Sequence, residues 1–443
     1  MINLKKIWFI VYIFLAIFQP PIIPFPLIYI VGIITIFLLL LKNRGYIKVN
    51  ILRKSSMLYI LKFFIAMVMY IIVISFVDVL ILKNDLILTI RMKTISQLLI
   101  LSTIQFINIY YIITMSKELK YDLDDVFLAV IYAGILQSMA SILAYLIPPV
   151  RNIFLQFAGN VYSNPYVYER RAYGFSSTLL DTFGYGMGLI AGYVVLLSPK
   201  TKFKNIVIIS LLTFSIFVNS RTGIVVLAIA IVLKLLKSKR IRNTAFKVVL
   251  FLPVIYLITK KFIPIILLPF LNSNSVTTKW VARSVMGLHE LIFNFRGIES
   301  IENATFLSHF NVLPTDKFTM LFGSGHIVYG TRNLLGFATD VGYINTIWTY
   351  GIFGLALFTL KFIRLFNKAL RSNRDVDYRF VTIFNMVAYF VVQLKAILIG
   401  YNPGIFITYL ITFSILYYSK SEILESKIRS KESITEGEYG CTY

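Results

Sequence analysis

Long apolar runs dominate this chain and restrict its fold more than any other feature. A hydrocarbon layer of roughly 30 Å needs about 20 apolar residues in a helix. Runs near that length recur at 7–23, 27–41, 57–77, 94–115, 126–147, 179–197, 205–219, 222–236, 246–266, 341–360, 380–400 and 405–419, twelve in all. Lipid offers no partner to an open backbone, so such runs predict helices. The expected fold class is all-α: a polytopic integral membrane protein with about 12 transmembrane helices and a large external loop. Composition agrees. Hydrophobic residues make up 58% of the 443 and charged residues 14%, against about 45–50% and about 25% in soluble domains. A water-soluble enzyme is excluded, and 15% aromatics exclude a disordered chain.

Lys and Arg number 44 against 20 Asp and Glu, a formal charge of +24. In a soluble protein that balance points to nucleic acid. Here the basic residues sit in short segments between apolar runs, without a basic domain interleaved with aromatics, and no nucleic-acid partner is expected. Their distribution instead sets orientation and meets anionic lipid headgroups. With the N-terminus inside, the cytoplasmic segments are 1–6, 42–56, 116–125, 198–205, 234–247, 361–379 and the tail from 420, and they hold 28 Lys and Arg. The outer segments 78–93, 148–178, 219–221 and 259–340 hold 14. Both termini are therefore expected in the cytoplasm. Met1 to Phe18 has the basic start and apolar run of a secretion signal. No small-residue cleavage site follows, so it reads as an uncleaved first helix. The single cysteine, Cys441, excludes an internal disulfide, a cysteine zinc site and a CxxC motif.

Residues 206–236 read as a hairpin rather than one long helix. Lys200, Lys202 and Lys204 precede the stretch and Lys234, Lys237, Lys239, Arg240 and Arg242 follow it, so both flanks belong on the same side. Arg221 then sits at the outer tip of arms of about 14–16 residues, about 21–24 Å long. A tip below the membrane surface needs water or an anionic partner for its arginine.

The chain reads as one membrane domain, 1–443, with two long external loops, 148–178 and a cap at 259–340. Loops of that length usually carry function. The first ends in Arg170-Arg171-Ala172-Tyr173-Gly174-Phe175. Paired guanidiniums suit phosphate or pyrophosphate, and they also suit a plain interfacial anchor. Gly184, Gly188 and Gly192 repeat every fourth residue, a pattern of close helix contact. Asp181, one turn earlier, is placed to orient a nearby arginine. The cap holds all three histidines, His289, His309 and His326. His326 follows Gly323-Ser324-Gly325, read as a tight turn because no βαβ unit is present. His326 is a candidate general base or an ordinary loop histidine. Asp340 either caps the next helix or activates a sugar hydroxyl. Lys395 lies within a span and points to an anionic substrate or to the headgroups. Asp122-Leu123-Asp124 falls on the cytoplasmic side and reads as a solvated charged loop. No metal and no cofactor is required by these residues.

Asn219-Ser220-Arg221-Thr222-Gly223 between two short spans resembles the signature of the O-antigen polymerase and ligase superfamily. Leu321-Phe322-Gly323-Ser324-Gly325 is similar to its "lfGxG" segment. Asp340-Val341-Gly342-Tyr343, leading to Tyr350-Gly351-Ile352-Phe353-Gly354-Leu355, resembles its loop exit. The resemblance covers roughly residues 160–360. It implies a membrane glycosyltransferase acting on polyprenyl-pyrophosphate-linked oligosaccharides at the outer face of the cytoplasmic membrane. Ligases of the family carry a histidine at the loop exit. Asp340 at that position resembles the repeat-unit polymerases (the Wzy type) of capsule or O-antigen assembly. The implied reaction moves a growing glycan from its lipid pyrophosphate to the non-reducing end of a lipid-linked repeat unit. Asp340 and His326 are then the candidate bases. Arg170, Arg171 and Arg221 are candidate pyrophosphate ligands, with Arg283 or Arg332 as a loop partner and Lys395 in support. A chain-length regulator and a flippase are implied partners.

The main rival is a transporter, the flippase for lipid-linked oligosaccharides. It calls for charges along a path through the bilayer and short loops, whereas polar residues here gather in one outer cap. An O-antigen-type ligase differs only in its acceptor.

Overall fold

The computed structural model describes residues 4–20, 27–43, 49–82, 85–159, 171–176, 180–198, 203–237, 264–274, 278–279, 282–283, 286, 312–326, 341–395 and 403–419. Among these residues the fold is all-helical, with no strand. The helices are α1 (Leu4–Phe18), α2 (Leu27–Asn43), α3 (Val49–Lys54), α4 (Met57–Leu82), α5 (Asp85–Glu118), α6 (Leu123–Leu146) and α7 (Pro148–Gly159). There follow α8 (Leu180–Leu197), α9 (Phe203–Asn219), α10 (Arg221–Lys237) and α11 (264–271). The last are α12 (Lys317–Phe322), α13 (Gly342–Ser372), α14 (Val376–Val392) and α15 (Pro403–Ser419). Eleven of the twelve apolar runs coincide with helices; the ninth, 246–266, lies outside the described residues up to 263.

Among the described residues three helices are long and apolar enough to cross a membrane: Met57–Leu80, Leu123–Leu146 and Gly342–Ser372. Shorter apolar helices run over Ile30–Leu39, Asp181–Leu197, Phe203–Asn219 and Pro403–Ser419. Helix α4 shows why the surroundings are apolar. Ile60, Phe64, Met67 and Ile71 are buried, while Ile65, Met69, Val73, Phe76 and Leu80 form an exposed stripe at three- and four-residue spacing. A helix facing water would be polar there.

Helices α8 and α15 form the centre. Residues 183–194 and 403–417 are buried without interruption, as expected of helices apolar all round. Two of their tyrosines are paired internally: the Tyr185 hydroxyl with Thr408 Oγ1 at 2.9 Å, and Tyr193 donating to Asn385 Oδ1 at 2.8 Å. The glycine stripe of α8 is structural. A side chain at Gly223 on α10 would meet Gly184 O at 2.6 Å, and one at Gly188 would meet Gly223 O at 2.8 Å. The two backbones touch.

Helices α9 and α10 form the expected hairpin, joined at Ser220, with 17 residues in each arm. Arms of about 25 Å exceed the expected length yet stay below the roughly 30 Å of a hydrocarbon core. The end of the bundle opposite Ser220 is tied by ion pairs and caps. Lys237 pairs with Asp377. Lys234 Nζ donates to Leu196 O at 3.0 Å and Ser198 O at 2.6 Å, at the α8 terminus where a cation is favoured. The Asp122 motif belongs here: Asp122 caps α6 in a reciprocal box with Asp125, and Asp124 accepts from the Tyr378 hydroxyl.

Three expectations are corrected. Residues 78–93 are no loop. Helix α4 continues to Leu82 and α5 begins at Asp85, because Asp78 and Arg91 neutralise one another inside the hairpin (Nε–Oδ2 2.7 Å, both 1% exposed). Residues 361–372 belong to α13, not to a cytoplasmic loop. Lys361 is 2% exposed, donates to the Tyr409 hydroxyl at 2.6 Å, and lies 4.0 Å from the Phe362 ring centre and 4.7 Å from that of Phe63. Lys395 is beyond α14, in a turn over 393–395, because the Gln393 carbonyl is engaged by the amides of Gly342 and Tyr343.

Two stability predictions follow from this packing. Gly223→Ala is expected to destabilise by about 1–3 kcal/mol, since backbone rather than a mobile side chain must give way. Gly32→Ala, where only Ile104 side-chain atoms lie close, at 3.2 Å, is expected to be neutral or stabilising. Melting in detergent separates the two. Lys361→Met is expected to melt no lower than the native protein, and Lys361→Glu to lose about 3 kcal/mol, as for an uncompensated buried charge.

Candidate functional site

The N-terminal part of α13 is a separate half-helix. Gly351 has φ 72° and ψ 179°, which ends the first segment at Tyr350, nine residues and about 13 Å from its start. A helix end leaves its last carbonyls without partners, which is costly away from water. The segment Leu321–His326 and helix α4 supply the donors. Ser324 N donates to Trp348 O at 2.8 Å, Gly325 N to Thr349 O at 3.1 Å, and the Tyr70 hydroxyl to Tyr350 O at 2.9 Å. The glycines permit this approach. Gly323 and Gly325 have φ of 75° and 78°, and a side chain at Gly323 would meet Thr349 O at 2.6 Å. The Gly-Ser-Gly turn is thus a cap on a broken helix.

Helix α5 holds the other side of the turn. Arg91 Nη2 donates to Gly323 O at 2.5 Å, and Thr94 Oγ1 donates to Gly325 O at 3.1 Å. At the end of the turn, His326 O accepts from Thr349 Oγ1 at 3.0 Å, and His326 Nδ1 lies 3.0 Å from Ser324 Oγ. The Ser324 hydroxyl donates to Trp348 O at 3.2 Å, so its oxygen accepts from Nδ1–H. That network assigns the lone pair to Nε2. Burial, and then the charge of Arg91, hold the His326 imidazole below the usual histidine range. It is accordingly neutral, the protonation state of a base.

A second constellation forms at the α9–α10 tip. Arg171, half-buried, donates through Nη1 to Asn219 O at 2.9 Å and to the Tyr173 hydroxyl at 3.0 Å. Asn219 fastens the neighbouring backbone: its Oδ1 accepts from Ala172 N at 2.8 Å, and its Nδ2 donates to Ala172 O and Ser215 O, each at 2.9 Å. Tyr173 O accepts from Gln137 Nε2. Asp181 accepts from the Thr222 hydroxyl, one residue from Arg221. Segments 171–173 and 219–222, far apart in sequence, thus fold onto each other.

Chain direction puts the Arg171 segment and the start of α13 at the Ser220 end, with the Gly323–Gly325 turn about 13 Å further along the half-helix. Helix α14 starts beside the foot of α10, through Lys237–Asp377, and its far end receives α13. There Gly342 N donates to Gln393 O at 2.8 Å, and the Tyr343 hydroxyl donates to Phe390 O at 2.8 Å. Lys395, half-buried, is two residues beyond Gln393.

Of the predicted site residues, Arg171 and Lys395 lie at this end, and His326 has well-defined surroundings beside Thr349 and Ser324. Arg221 opens α10, its side chain being outside the described residues. Arg283 is exposed in a short helical stretch, and none of the contacts given above for Arg171 involves it. Asp340, Arg170 and Arg332 lie outside the described residues. Sequence reasoning missed Tyr70, Asp78, Arg91 and Thr94, and it named Asn219 within the 219–223 motif without giving it a role. The signal available for Asp78 and Arg91 was an opposite-charge pair bracketing a short connection between two apolar runs. No protein-family model matches this chain, and no curated protein is significantly similar to it.

Gly351→Ala is expected to release the Leu321–His326 turn. Its φ and ψ are essentially glycine-only, and the new methyl group would press on Leu321 O. Hydrogen exchange at the Ser324 and Gly325 amides is expected to accelerate on the order of tenfold or more, with α15 unchanged.

Proposed function

We propose that the chain is an oligosaccharide repeat-unit polymerase of capsule or O-antigen biosynthesis, embedded in the cytoplasmic membrane. In this reading about twelve helices cross the bilayer, both termini are cytoplasmic, and the Ser220 end faces outward under the 259–340 cap. A growing glycan passes from polyprenyl pyrophosphate to the non-reducing end of a lipid-linked repeat unit. The observation that carries the reading is the folding of the Arg171 segment onto the Asn219–Thr222 tip, at the end of the bundle where the half-helix holding His326 begins. A basic segment therefore stands where a lipid-linked substrate would arrive, with a base-like group below it.

The chemistry asked of them is modest. A sugar hydroxyl of the acceptor attacks the anomeric carbon of the donor, a new C–O bond forms, and the bond from that carbon to pyrophosphate breaks. The hydroxyl proton goes to a base, His326 Nε2 or the Asp340 carboxylate. The departing pyrophosphate gains charge, which Arg171 and Arg221 stabilise, with Arg170, Arg283, Arg332 and Lys395 as further candidates. The charges buried among the helices are engaged with neighbours: Arg91 with Asp78, and Lys361 with Tyr409. This favours a catalytic end over a charged pathway through the bilayer.

Purified protein in lipid vesicles, given cognate lipid-linked single repeat units, is expected to yield a ladder of glycan multiples. Arg221→Ala is expected to abolish the ladder while leaving membrane insertion intact, and unaltered polymer length in that variant refutes the assignment of Arg221. Movement of the lipid between leaflets without a ladder makes the protein a flippase.

A further inference from the structure

We infer that Arg91, with its partner Asp78, is a positioning residue that holds the Gly323-Ser324-Gly325 turn against the break in α13 and so aims the His326 imidazole. The first ground is geometric. Arg91 is almost wholly buried, yet its guanidinium is split between two tasks: Nε to Asp78 at 2.7 Å and Nη2 to Gly323 O at 2.5 Å. The bond to Gly323 O satisfies a buried N–H of the pair and at the same time ties it to a loop carbonyl 232 residues away in sequence. Thr94, one turn further along α5, grips the turn a second time through Gly325 O. A side chain at Gly325 would meet Arg91 Cγ at 2.9 Å, so the turn lies directly on the arginine stem.

The second ground is connectivity. Between the two carbonyls held by α5 stands Ser324, whose hydroxyl orients His326 Nδ1, and beyond them Thr349 holds the histidine's own carbonyl. The backbone of His326 is fixed by α13 and its ring by Ser324. Ser324 in turn is fixed by α5 on both sides. A fork is needed for this. Lysine offers one point charge, whereas guanidinium presents separate N–H groups in a rigid plane. The charged and titratable groups packed around the turn are Tyr70 and Asp78 from α4 and Arg91 from α5; α13 contributes the neutral Trp348 and Thr349.

The activity arm of the test rests on the reading of His326 as a base, and the spectroscopic arm does not. Removing Arg91 alone strands Asp78, so the informative variant is Asp78→Leu with Arg91→Met. The chain has three histidines, so isotope-labelled histidine in nanodiscs gives few resonances, and His326 is assigned by its loss in His326→Gln. The double variant is expected to melt within a few degrees of the native protein. Its His326 ring is expected to lose the Nδ1-protonated tautomer that the Ser324 oxygen favours, a change that removing a mutually neutralised pair does not by itself produce. In the ladder assay kcat is expected to fall at least tenfold with KM for the lipid-linked repeat unit unchanged. Thr94→Val, which leaves the ion pair in place, is expected to shift the tautomer less and, freed of one grip, to lower kcat less. If both variants keep the native tautomer and native kcat, the pair only stabilises the bundle and the inference is overturned. If the native protein makes no ladder, the polymerase reading falls, and the His326 tautomer in the two variants alone decides the role of Arg91.

Discussion

A helix that breaks among apolar side chains has no water with which to satisfy its open carbonyls, and this bundle contains one such break, at Gly351. Gly351 interrupts α13, and Trp348, Thr349 and Tyr350 each present a carbonyl to the interior. The donors come from the Leu321–His326 turn and from a tyrosine on α4. Irregular backbone at such depth is tolerated only where protein encloses it. The cap therefore has to be glycine-rich, the glycines have to be held, and the residues that hold them come from α4 and α5.

Charge follows the same logic. Arg91 and Asp78 neutralise each other within the α4–α5 hairpin, and Lys361 lies among aromatic rings with a tyrosine hydroxyl as acceptor. At the opposite end Lys234 meets helix carbonyls and Lys237 a carboxylate. Arg171 is only half-buried, and its contacts include Asn219 O and the Tyr173 hydroxyl.

Much of the helix order was legible because length and hydropathy are local properties. The apolar runs located the helices, and the basic flanks of 206–236 forced a hairpin with Arg221 at its turn. The Gly184–Gly188–Gly192 stripe announced a close crossing, and Gly223 supplies the facing backbone. Errors fell where charge sits inside a helix. Asp78, Arg91 and Lys361 each interrupt an apolar run, so the run was ended early and the residue assigned to a loop. Burial of a charge depends on what stands opposite, and a one-dimensional pattern does not record that. Lys395 failed in the reverse sense: the apolar run continued past it, but the Gln393 carbonyl is engaged by α13.

By itself, then, the sequence determined that this chain is helical and apolar on its outer faces, that the 206–236 segment doubles back, and which motifs bear guanidinium, imidazole and carboxylate. These follow from backbone hydrogen bonding in an apolar medium and from short-range spacing. Only the tertiary structure decided that Gly-Ser-Gly caps a broken helix, that Arg91 grips that cap, and that Arg171 lies on Asn219. They join residues from 24 to more than 200 positions apart. Such pairings are selected by whole-bundle packing and by the cost of leaving a buried polar group unpaired.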